Sequence, residues 1–248
     1  ALIRGLTAAD CDVYDAGVAT TSAMYLTIAG EAHADGAVMV TAGAQPEDWN
    51  GFKLMTRDGG LRPEEQREVL LHAQKTCVPQ RLVSELDALS SWRQRLYEMV
   101  CRRLEDDVQC PLVGLFVVVF DSGAGAFFAD AIEEMGADVV RVSPPGGSFN
   151  PDDAAAIEAL SRAVTDNEAD LGVALDADGT RCALVDQDGR PLSGNRLIAL
   201  MAAILLEESP GATFVTDSVT SSGVARFITE WGGVHYRYKR GHLYVIAE

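Results

Sequence analysis

Short apolar runs alternate with helical patterns along almost the whole chain. The apolar runs predict strands at 11–16, 37–42, 115–121, 138–142, 171–175, 183–186 and 213–216. Apolar residues at helical spacing predict helices near 21–31, 63–75, 84–106, 126–135, 153–165, 194–208 and 221–231. Several strands are apolar throughout, as is typical of sheets covered by helices on both faces. The pattern therefore predicts an α/β fold built from layered sheets.

Two polar segments divide this pattern. The polar helix at 89–107 precedes the apolar run "PLVGLFVVVF" and is typical of a connection between domains. The segment "VDQDGRPLSG" at 185–194 contains an Asp-Gly turn and opens a new long helix. We therefore predict three domains, at 1–108, 109–183 and 184–248.

Charge and cysteine content exclude several classes of protein. The chain has 20 basic and 37 acidic residues, and its net charge of −17 disfavours nucleic-acid binding. The longest apolar runs, 111–120 and 197–206, reach only half of the about 20 residues that cross a bilayer, so no membrane contact is expected. The 5 cysteines are odd in number and lack CxxC spacing, which indicates reduced thiols and a cytoplasmic protein.

Two aspartates provide the clearest candidate chemistry. Asp176 and Asp178 follow an apolar strand two residues apart, so extended backbone would place both carboxylates on one side. Two such oxygen donors suit Mg2+, and Arg181 adds positive charge for a phosphoryl group. The simpler alternative is an acidic turn that closes the strand and binds no metal.

Three further segments are candidates with simpler alternatives. Gly123 and Gly125 follow a strand and precede a helix, but without a third glycine they indicate a tight turn more than a nucleotide site. Lys53 in "NGFKLM" is a candidate general acid/base or phosphate ligand, or else a solvated cation. Lys239 and His242 lie in "YKRGH" and are candidate binding residues. The simpler alternative is a basic turn beside an edge strand, with a structural histidine.

Four motifs in this order resemble the α-D-phosphohexomutase family, the phosphomannomutases and phosphoglucomutases. The family's T-A-S-H-N-P, N-G-[FY]-K, D-G-D-G-D-R and G-H motifs correspond to "TAGAQP" (41–46), "NGFK" (50–53), "DADGTR" (176–181) and "RGH" (240–242). The resemblance extends over nearly the whole chain. It implies repeated α/β/α layered domains with mixed sheets, and a hexose phosphate as the ligand.

The resemblance also implies roles for individual residues. In active members the motif serine carries the phosphoryl group and three aspartates hold Mg2+, but this chain has Gly43 and Thr180 at two of those positions. We expect an impaired enzyme in which Mg2+ at Asp176 and Asp178 binds weakly or is absent. Lys53 and Arg181 are the expected catalytic residues. Lys239 and His242 are the expected substrate-binding residues.

Other functions fit the same letters. The chain could be an active mutase with another phosphoryl acceptor, or a non-catalytic interaction subunit. The motif "DADGT" also resembles the D-x-D-G-T signature of haloacid-dehalogenase-type phosphatases, in which Asp176 would attack phosphorus. The family's fourth domain has no counterpart here, so we expect a homo-oligomer or a partner chain.

Overall fold

The computed structural model describes residues 1–29, 34–43, 45, 49–73, 83–85, 88–103 and 110–239. The chain divides into two compact units, Ala1–Arg190 and Pro191–Glu248. The three-domain division stays a prediction, although its boundary at 183 lies within a strand of the first unit, Cys182–Asp186.

Helices and strands alternate as the apolar pattern predicts. The helices are α1 (Leu2–Ala8), α2 (Thr21–Ala29), α3 (Pro63–Ala73), α4 (Ala88–Arg103), α5 (Ala124–Glu134), α6 (Ala154–Asn167), α7 (Gly194–Glu208) and α8 (Ser222–Glu230). The strands are β1 (Val13–Asp15), β2 (Gly36–Thr41), β3 (Gly51–Thr56), β4 (Gly59–Gly60), β5 (Val83–Glu85), β6 (Phe116–Phe120), β7 (Asp138–Val142), β8 (Leu171–Leu175), β9 (Cys182–Asp186), β10 (Thr213–Thr216) and β11 (Val234–Arg237).

The described residues of the first unit form three sheets. Strands β1 and β5 form a parallel pair, and β2, β3 and β4 form an antiparallel sheet. The third sheet has the order β7-β6-β8-β9, in which only β9 runs antiparallel to its neighbour. The fold is therefore α/β with mixed sheets, as the sequence predicts.

The four-stranded sheet explains why β6 is apolar at every position. Val117 and Val119 pack with α5 residues in one buried cluster. Val118 and Phe120 pack with α6 residues in a second cluster on the other face. Because alternate side chains point to opposite faces, a strand between two helical layers needs apolar residues throughout.

The three-stranded sheet has a smaller core. Met39 on β2 and Met55 on β3 pack with Ile28 on α2, and all three side chains are buried. The outer face of the same sheet keeps Val40 and Phe52 exposed. The sheet thus buries one face against α2, and the alternation fixes which β3 side chains point toward that helix.

The second unit is a smaller α/β layer. Strands β10 and β11 pair in parallel, with Thr213 opposite Val234. Ala202 on α7 packs with Val224 and Ile228 on α8 in its buried cluster. The Ser193 and Ser221 side chains cap the first turns of these two helices.

All seven strands and seven helices predicted from the pattern occur, with ends shifted by a few residues. The pattern missed α1, β3, β4, β5 and β11. Strand β3 contains a glycine and Lys53, which weaken its apolar signal, and β11 is largely exposed. None of the helices within the described ranges is long and apolar enough to cross a bilayer.

Candidate functional site

The aspartate loop, residues 176–181, joins β8 to β9 in a tight turn. The Asp176 amide donates to the Arg181 carbonyl at 3.0 Å, and the Gly179 amide donates to the Asp176 carbonyl at 3.0 Å. Gly179 has a φ of +71°, a backbone conformation that favours glycine. This turn reverses the chain and carries both aspartate side chains to the end of the four-stranded sheet.

Both carboxylates of the aspartate loop are buried. Asp176 is 1% exposed and Asp178 is 0% exposed. The Asp176 Oδ1 accepts from the Arg181 amide at 2.9 Å, and its Oδ2 lies 3.3 Å from the Thr180 hydroxyl. A buried carboxylate needs such donors because burial without them is very costly.

Lys53 reaches the aspartate loop from the three-stranded sheet. It lies opposite Met39 in the antiparallel register, on the same side of β3 as the buried Met55. Its Nζ is 2.5 Å from Asp178 Oδ2, and 36% of its side chain remains exposed. Lys53 is therefore a half-buried cation that joins two sheets, and not the solvated surface residue of the simpler alternative.

The environment of Asp178 keeps it ionised. Burial alone would raise the pKa of Asp178, but hydrogen bonds from Lys53 and Thr180, with the charge of Lys53, outweigh burial. The pKa of this carboxyl is therefore lowered from its ordinary value of 3.8. Apart from the Lys53 ion pair, Asp178 Oδ2 has no hydrogen-bond partner in the described part of the chain.

Thr180 is the residue whose part in the site the sequence interpretation missed. Its hydroxyl donates to Asp178 Oδ1 at 2.8 Å and lies 3.3 Å from Asp176 Oδ2. The Lys53 ammonium lies 3.4 Å from the same hydroxyl. The resemblances give Thr180 only the place of a missing aspartate or the end of a D-x-D-G-T signature, whereas in the structure its hydroxyl lies within 3.4 Å of both carboxylates and the ammonium.

Arg181 extends from the loop toward solvent. Its Nη1 lies 2.9 Å from Asp152 Oδ2, and its Nε lies 3.6 Å from Asp176 Oδ2. The Arg181 side chain is 43% exposed and that of Asp152 is 81% exposed. Such an exposed pair contributes little stability, so the guanidinium can exchange Asp152 for an anionic ligand at small cost.

The beginning of α2 contacts the aspartate loop. The Thr21 amide donates to the Asp178 carbonyl at 2.9 Å, and the Thr21 hydroxyl accepts from Lys53 at 3.4 Å. The buried Thr20 caps the helix by accepting from the Ala23 amide at 3.1 Å. A threonine just before a helical pattern is an N-cap signal, so the sequence could have indicated this end of the helix.

The beginning of α5 approaches the loop from another side. The Ala124 amide donates to the Ala177 carbonyl at 3.1 Å. A Cβ on Gly123, whose φ is +51°, would lie 2.6 Å from the Ala177 Cα. Gly123 therefore allows a close backbone approach, which agrees with a tight turn and gives no support to a nucleotide site.

The opening loop, residues 41–45, follows β2 and keeps a turn without a reactive side chain. Gly43 has a φ of +60°, and its amide donates to the Thr41 hydroxyl at 2.8 Å. The Gln45 amide donates to the Ala42 carbonyl at 3.1 Å. Among the described residues, a Cβ added at Gly43 would meet no atom within 4 Å, so they leave the space beside this residue open.

The aspartate loop does not have the form of a prepared Mg2+ site. Each of the four oxygens of Asp176 and Asp178 already faces a donor or cation from Arg181, Thr180 or Lys53. No three His, Cys, Asp or Glu side chains that could hold a metal converge within the described ranges. Mg2+ prefers an octahedral oxygen shell, which this arrangement does not present. Weak or absent Mg2+ binding stays a prediction.

The structure brings together four predicted site residues: Lys53, Asp176, Asp178 and Arg181. Lys239 is exposed after β11 in the second unit, and His242 lies outside the described residues, so their substrate-binding role stays a prediction. The phosphatase alternative needs Asp176 as an accessible nucleophile, but only 2% of its side chain is exposed. That burial argues against this alternative.

Two family models match the chain. "Phosphoglucomutase/phosphomannomutase, alpha/beta/alpha domain I" matches residues 1–76, and the corresponding domain III model matches residues 193–248. The first match includes Gly43 and Lys53, and the second includes Lys239 and His242. The two models thus cover most segments that carry the resemblance seen in the sequence.

Curated relatives match along the full chain. It is 32% identical to the phosphoglucosamine mutase of Limosilactobacillus fermentum, an alignment that covers 100% of this chain and 57% of the relative. It is 30% identical to the phosphomannomutase of Escherichia coli K12, over 99% of this chain and 57% of that protein. The chain spans about half the length of the curated relatives it matches.

Solved structures agree with the fold. A phosphoglucomutase/phosphomannomutase family protein from Burkholderia thailandensis superposes with a TM-score of 0.81 at 25% identity, covering 97% of this chain and 54% of that one. The Paramecium phosphoglucomutase parafusin has the same fold, with a TM-score of 0.71 at 16% identity over 97% of this chain and 52% of that one. With both family models and these relatives in agreement, the chain belongs to the phosphoglucomutase/phosphomannomutase family, the α-D-phosphohexomutases.

Proposed function

We propose that this protein binds a hexose or hexosamine phosphate through Lys53 and Arg181, but does not interconvert its phosphate positions through an enzyme-bound phosphoserine. The observation that carries this proposal is Gly43, at the position of the family's phosphoserine. The loop around Gly43 keeps its turn, and the space beside it is open. The described residues therefore leave room for a phosphoryl group there, but position 43 itself offers no side-chain oxygen to carry it.

The missing oxygen matters because the family's route has two steps. An enzyme-bound phosphoryl group must form and then transfer, and each step needs an oxygen in line with phosphorus. Binding energy alone cannot replace this covalent intermediate. Without another acceptor, the protein would hold the sugar phosphate and release it unchanged.

The binding half of the proposal rests on two cations whose side chains are partly exposed. Lys53 is 36% exposed and Arg181 is 43% exposed, above carboxylates that are almost fully buried. A phosphate approaching from solvent would meet these two side chains before the aspartates. At Lys53 it would replace the two 3.4 Å contacts with the Thr21 and Thr180 hydroxyls and leave the ion pair with Asp178 in place. Arginine suits this role because its planar fork can bind two phosphate oxygens at once.

Turnover and phosphorylation should be tested separately. In a coupled assay with glucose 1-phosphate, mannose 1-phosphate or glucosamine 1-phosphate, a bisphosphate activator and Mg2+, we expect no isomerisation above the no-protein control. Intact mass after incubation with glucose 1,6-bisphosphate should be unchanged. Turnover accompanied by a mass gain of one phosphoryl group would contradict the proposal and indicate a non-standard acceptor.

Thr180 is the first residue to inspect if the mass increases. Its side chain is exposed, and its hydroxyl donates to the Asp178 carboxylate at 2.8 Å. A hydroxyl beside an ionised carboxylate has the partner that a nucleophile needs for proton removal. Tandem mass spectrometry would locate the phosphoryl group on Thr180 or elsewhere.

Binding can be measured with one variant and a matched control. Calorimetry with glucose 6-phosphate should give saturable binding that weakens at least about tenfold in Arg181→Met, since a charge-assisted phosphate contact is lost. Arg190→Met removes an arginine of the neighbouring turn, 73% exposed and paired with Asp188, and should change nothing. Equal effects of both substitutions would reject the Arg181 site.

A further inference from the structure

The Lys53 ammonium lies beside the aspartate loop, at the place where the resemblance to the phosphohexomutase family implies a metal ion. We propose that the Lys53 ammonium, linked through the Thr180 hydroxyl, is the permanent counter-ion of Asp176 and Asp178, and that the loop is complete without a divalent metal. This inference does not rest on the proposed ligand or on the absence of turnover.

The ammonium has the number of partners that its hydrogens can serve. Lys53 Nζ lies 2.5 Å from Asp178 Oδ2 and 3.4 Å from each of the Thr21 and Thr180 hydroxyls. A protonated lysine carries three N–H donors and no acceptor, so these three oxygens match its full donor set. The Lys53 head is therefore bound in place, although part of the side chain reaches solvent.

Thr180 completes the set from the loop itself. Its hydroxyl lies 2.8 Å from Asp178 Oδ1 and 3.3 Å from Asp176 Oδ2, which places it between the two carboxylates. An aspartate at this position would add a third negative oxygen donor for a metal. Threonine instead supplies a neutral hydroxyl that donates to Asp178 Oδ1 and lies close to Asp176 Oδ2.

Charge balance favours the same conclusion. Asp176 and Asp178 carry two negative charges, and Lys53 and Arg181 carry two positive charges beside them. A Mg2+ ion at the carboxylates would bring two more positive charges next to a fixed ammonium. Because repulsion between like charges grows as their distance shrinks, the ion would have to displace Lys53 first.

Lys53 also has a mechanical role that a bound metal would disturb. It lies on β3 of the three-stranded sheet, whereas Asp178 follows β8 of the four-stranded sheet. The Thr21 amide donates to the Asp178 carbonyl beside the same contact. The ammonium thus joins two sheets of the first unit, and its displacement would open that junction.

The test is a metal titration of the full chain and four variants, one of which is the single substitution Asp178→Asn. Mn2+ binding is followed by electron paramagnetic resonance and Mg2+ binding by calorimetry, both in metal-free buffer without sugar phosphate. Lys53→Gln removes the charge while keeping an amide donor. Arg57→Met removes a positive charge from the turn after the same strand and serves as the matched control. Lys53→Gln/Asp178→Asn asks whether any gained site uses the aspartate loop.

The unsubstituted chain should show no saturable binding of either ion below about 1 mM. Lys53→Gln should bind Mn2+ at least about tenfold more tightly, because a repelling charge is gone. Arg57→Met should bind both ions as the unsubstituted chain does. Adding Asp178→Asn to Lys53→Gln should abolish the gain in Mn2+ affinity. Binding by the unsubstituted chain below about 0.1 mM that Asp178→Asn removes would overturn the proposal, as would an unchanged affinity in Lys53→Gln.

A second measurement keeps the proposal testable if Lys53→Gln does not fold. The melting temperature of the unsubstituted chain should be the same in 10 mM Mg2+ and in EDTA, since a ligand stabilises only a state that it binds. A rise of several degrees in Mg2+ that disappears in Asp176→Asn would overturn the proposal. Thr180→Asp should create or enlarge such a rise, because it adds the third carboxylate.

Discussion

The opening loop and the aspartate loop are two turns of the first unit that differ in how their side chains are surrounded. Each follows a strand and contains a glycine with positive φ, +60° at Gly43 and +71° at Gly179. In the aspartate loop, Asp176 and Asp178 are buried and bonded from several sides. In the opening loop, the space beside Gly43 is open.

The difference shows that the shape of a turn and its chemistry are separate properties. One backbone bond, one bond from the Gly43 amide to the Thr41 hydroxyl and the glycine itself maintain the opening loop, so the turn does not depend on a side chain at position 43. The aspartate loop is held largely by its side chains, because its carboxylates bond the loop and Lys53. Its contact with α2 is a backbone one, from the Thr21 amide to the Asp178 carbonyl. Substitutions should therefore be costly in the second loop and tolerated in the first.

The strongest test of this difference removes one carboxylate. Asp178→Ala should lower the free energy of unfolding by about 3 kcal/mol, because it leaves Lys53 without its ion-pair partner in a half-buried position. Thr41→Ala in the opening loop removes only a hydroxyl that accepts one amide, and should cost about 1 kcal/mol. Urea unfolding of both variants measures the two values. Equal losses would mean that the loops are held in the same way.

Two glycines with positive φ give a matched pair. Gly123→Ala should cost roughly 2 to 3 kcal/mol, since its Cβ would overlap the Ala177 backbone at 2.6 Å in addition to the backbone strain. Gly43→Ala meets open space and should cost only the strain, about 1 kcal/mol. Thermal unfolding of the two variants checks the order. A reversed order would show that the opening loop is packed more tightly than its geometry indicates.

Gly43→Ser asks whether the opening loop lacks only its nucleophile. We expect a stability loss of about 1 kcal/mol from the positive φ and no measurable mutase turnover in the coupled assay. The reason is that Thr180 and the Lys53 pair would still differ from the metal-holding loop that the resemblance implies. Gly43→Ala is the control for the backbone strain. Turnover restored by the serine alone would show that the aspartate loop is already competent.

The smallest expected effect concerns the hydroxyl between the carboxylates. Thr180→Val should cost roughly 0.5 kcal/mol, because Asp178 Oδ1 loses a hydroxyl donor but keeps the Thr180 amide at 3.3 Å. Thr180→Ser keeps the hydroxyl and should leave the stability unchanged. The difference between the two variants in chemical denaturation measures the bond. A loss as large as that of Asp178→Ala would make Thr180 the main support of the loop.

Local patterns were sufficient to predict much of this fold. Strand β6 is apolar at each position because both of its faces are covered, and α6 begins at a capping aspartate, Asp153. Such signals depend on residues close in sequence, so they can be read without a structure. The pattern did not predict strand β3, because this segment is a strand through its pairing with β2 and its own residues carry a weak strand signal.

The sequence by itself determined the alternation of strands and helices, the loss of an oxygen at Gly43 and the presence of two aspartates after β8. It also indicated the family, because four motifs occur in the family's order even though several of their residues differ from the family's. Only the tertiary structure decided what those aspartates face. Lys53 and Thr180 are 127 residues apart, and their contact depends on how two sheets pack. No local sequence pattern indicates a contact between residues so far apart along the chain. The ion pair of Lys53 with Asp178 likewise depends on burial and on partners that meet only when the chain folds.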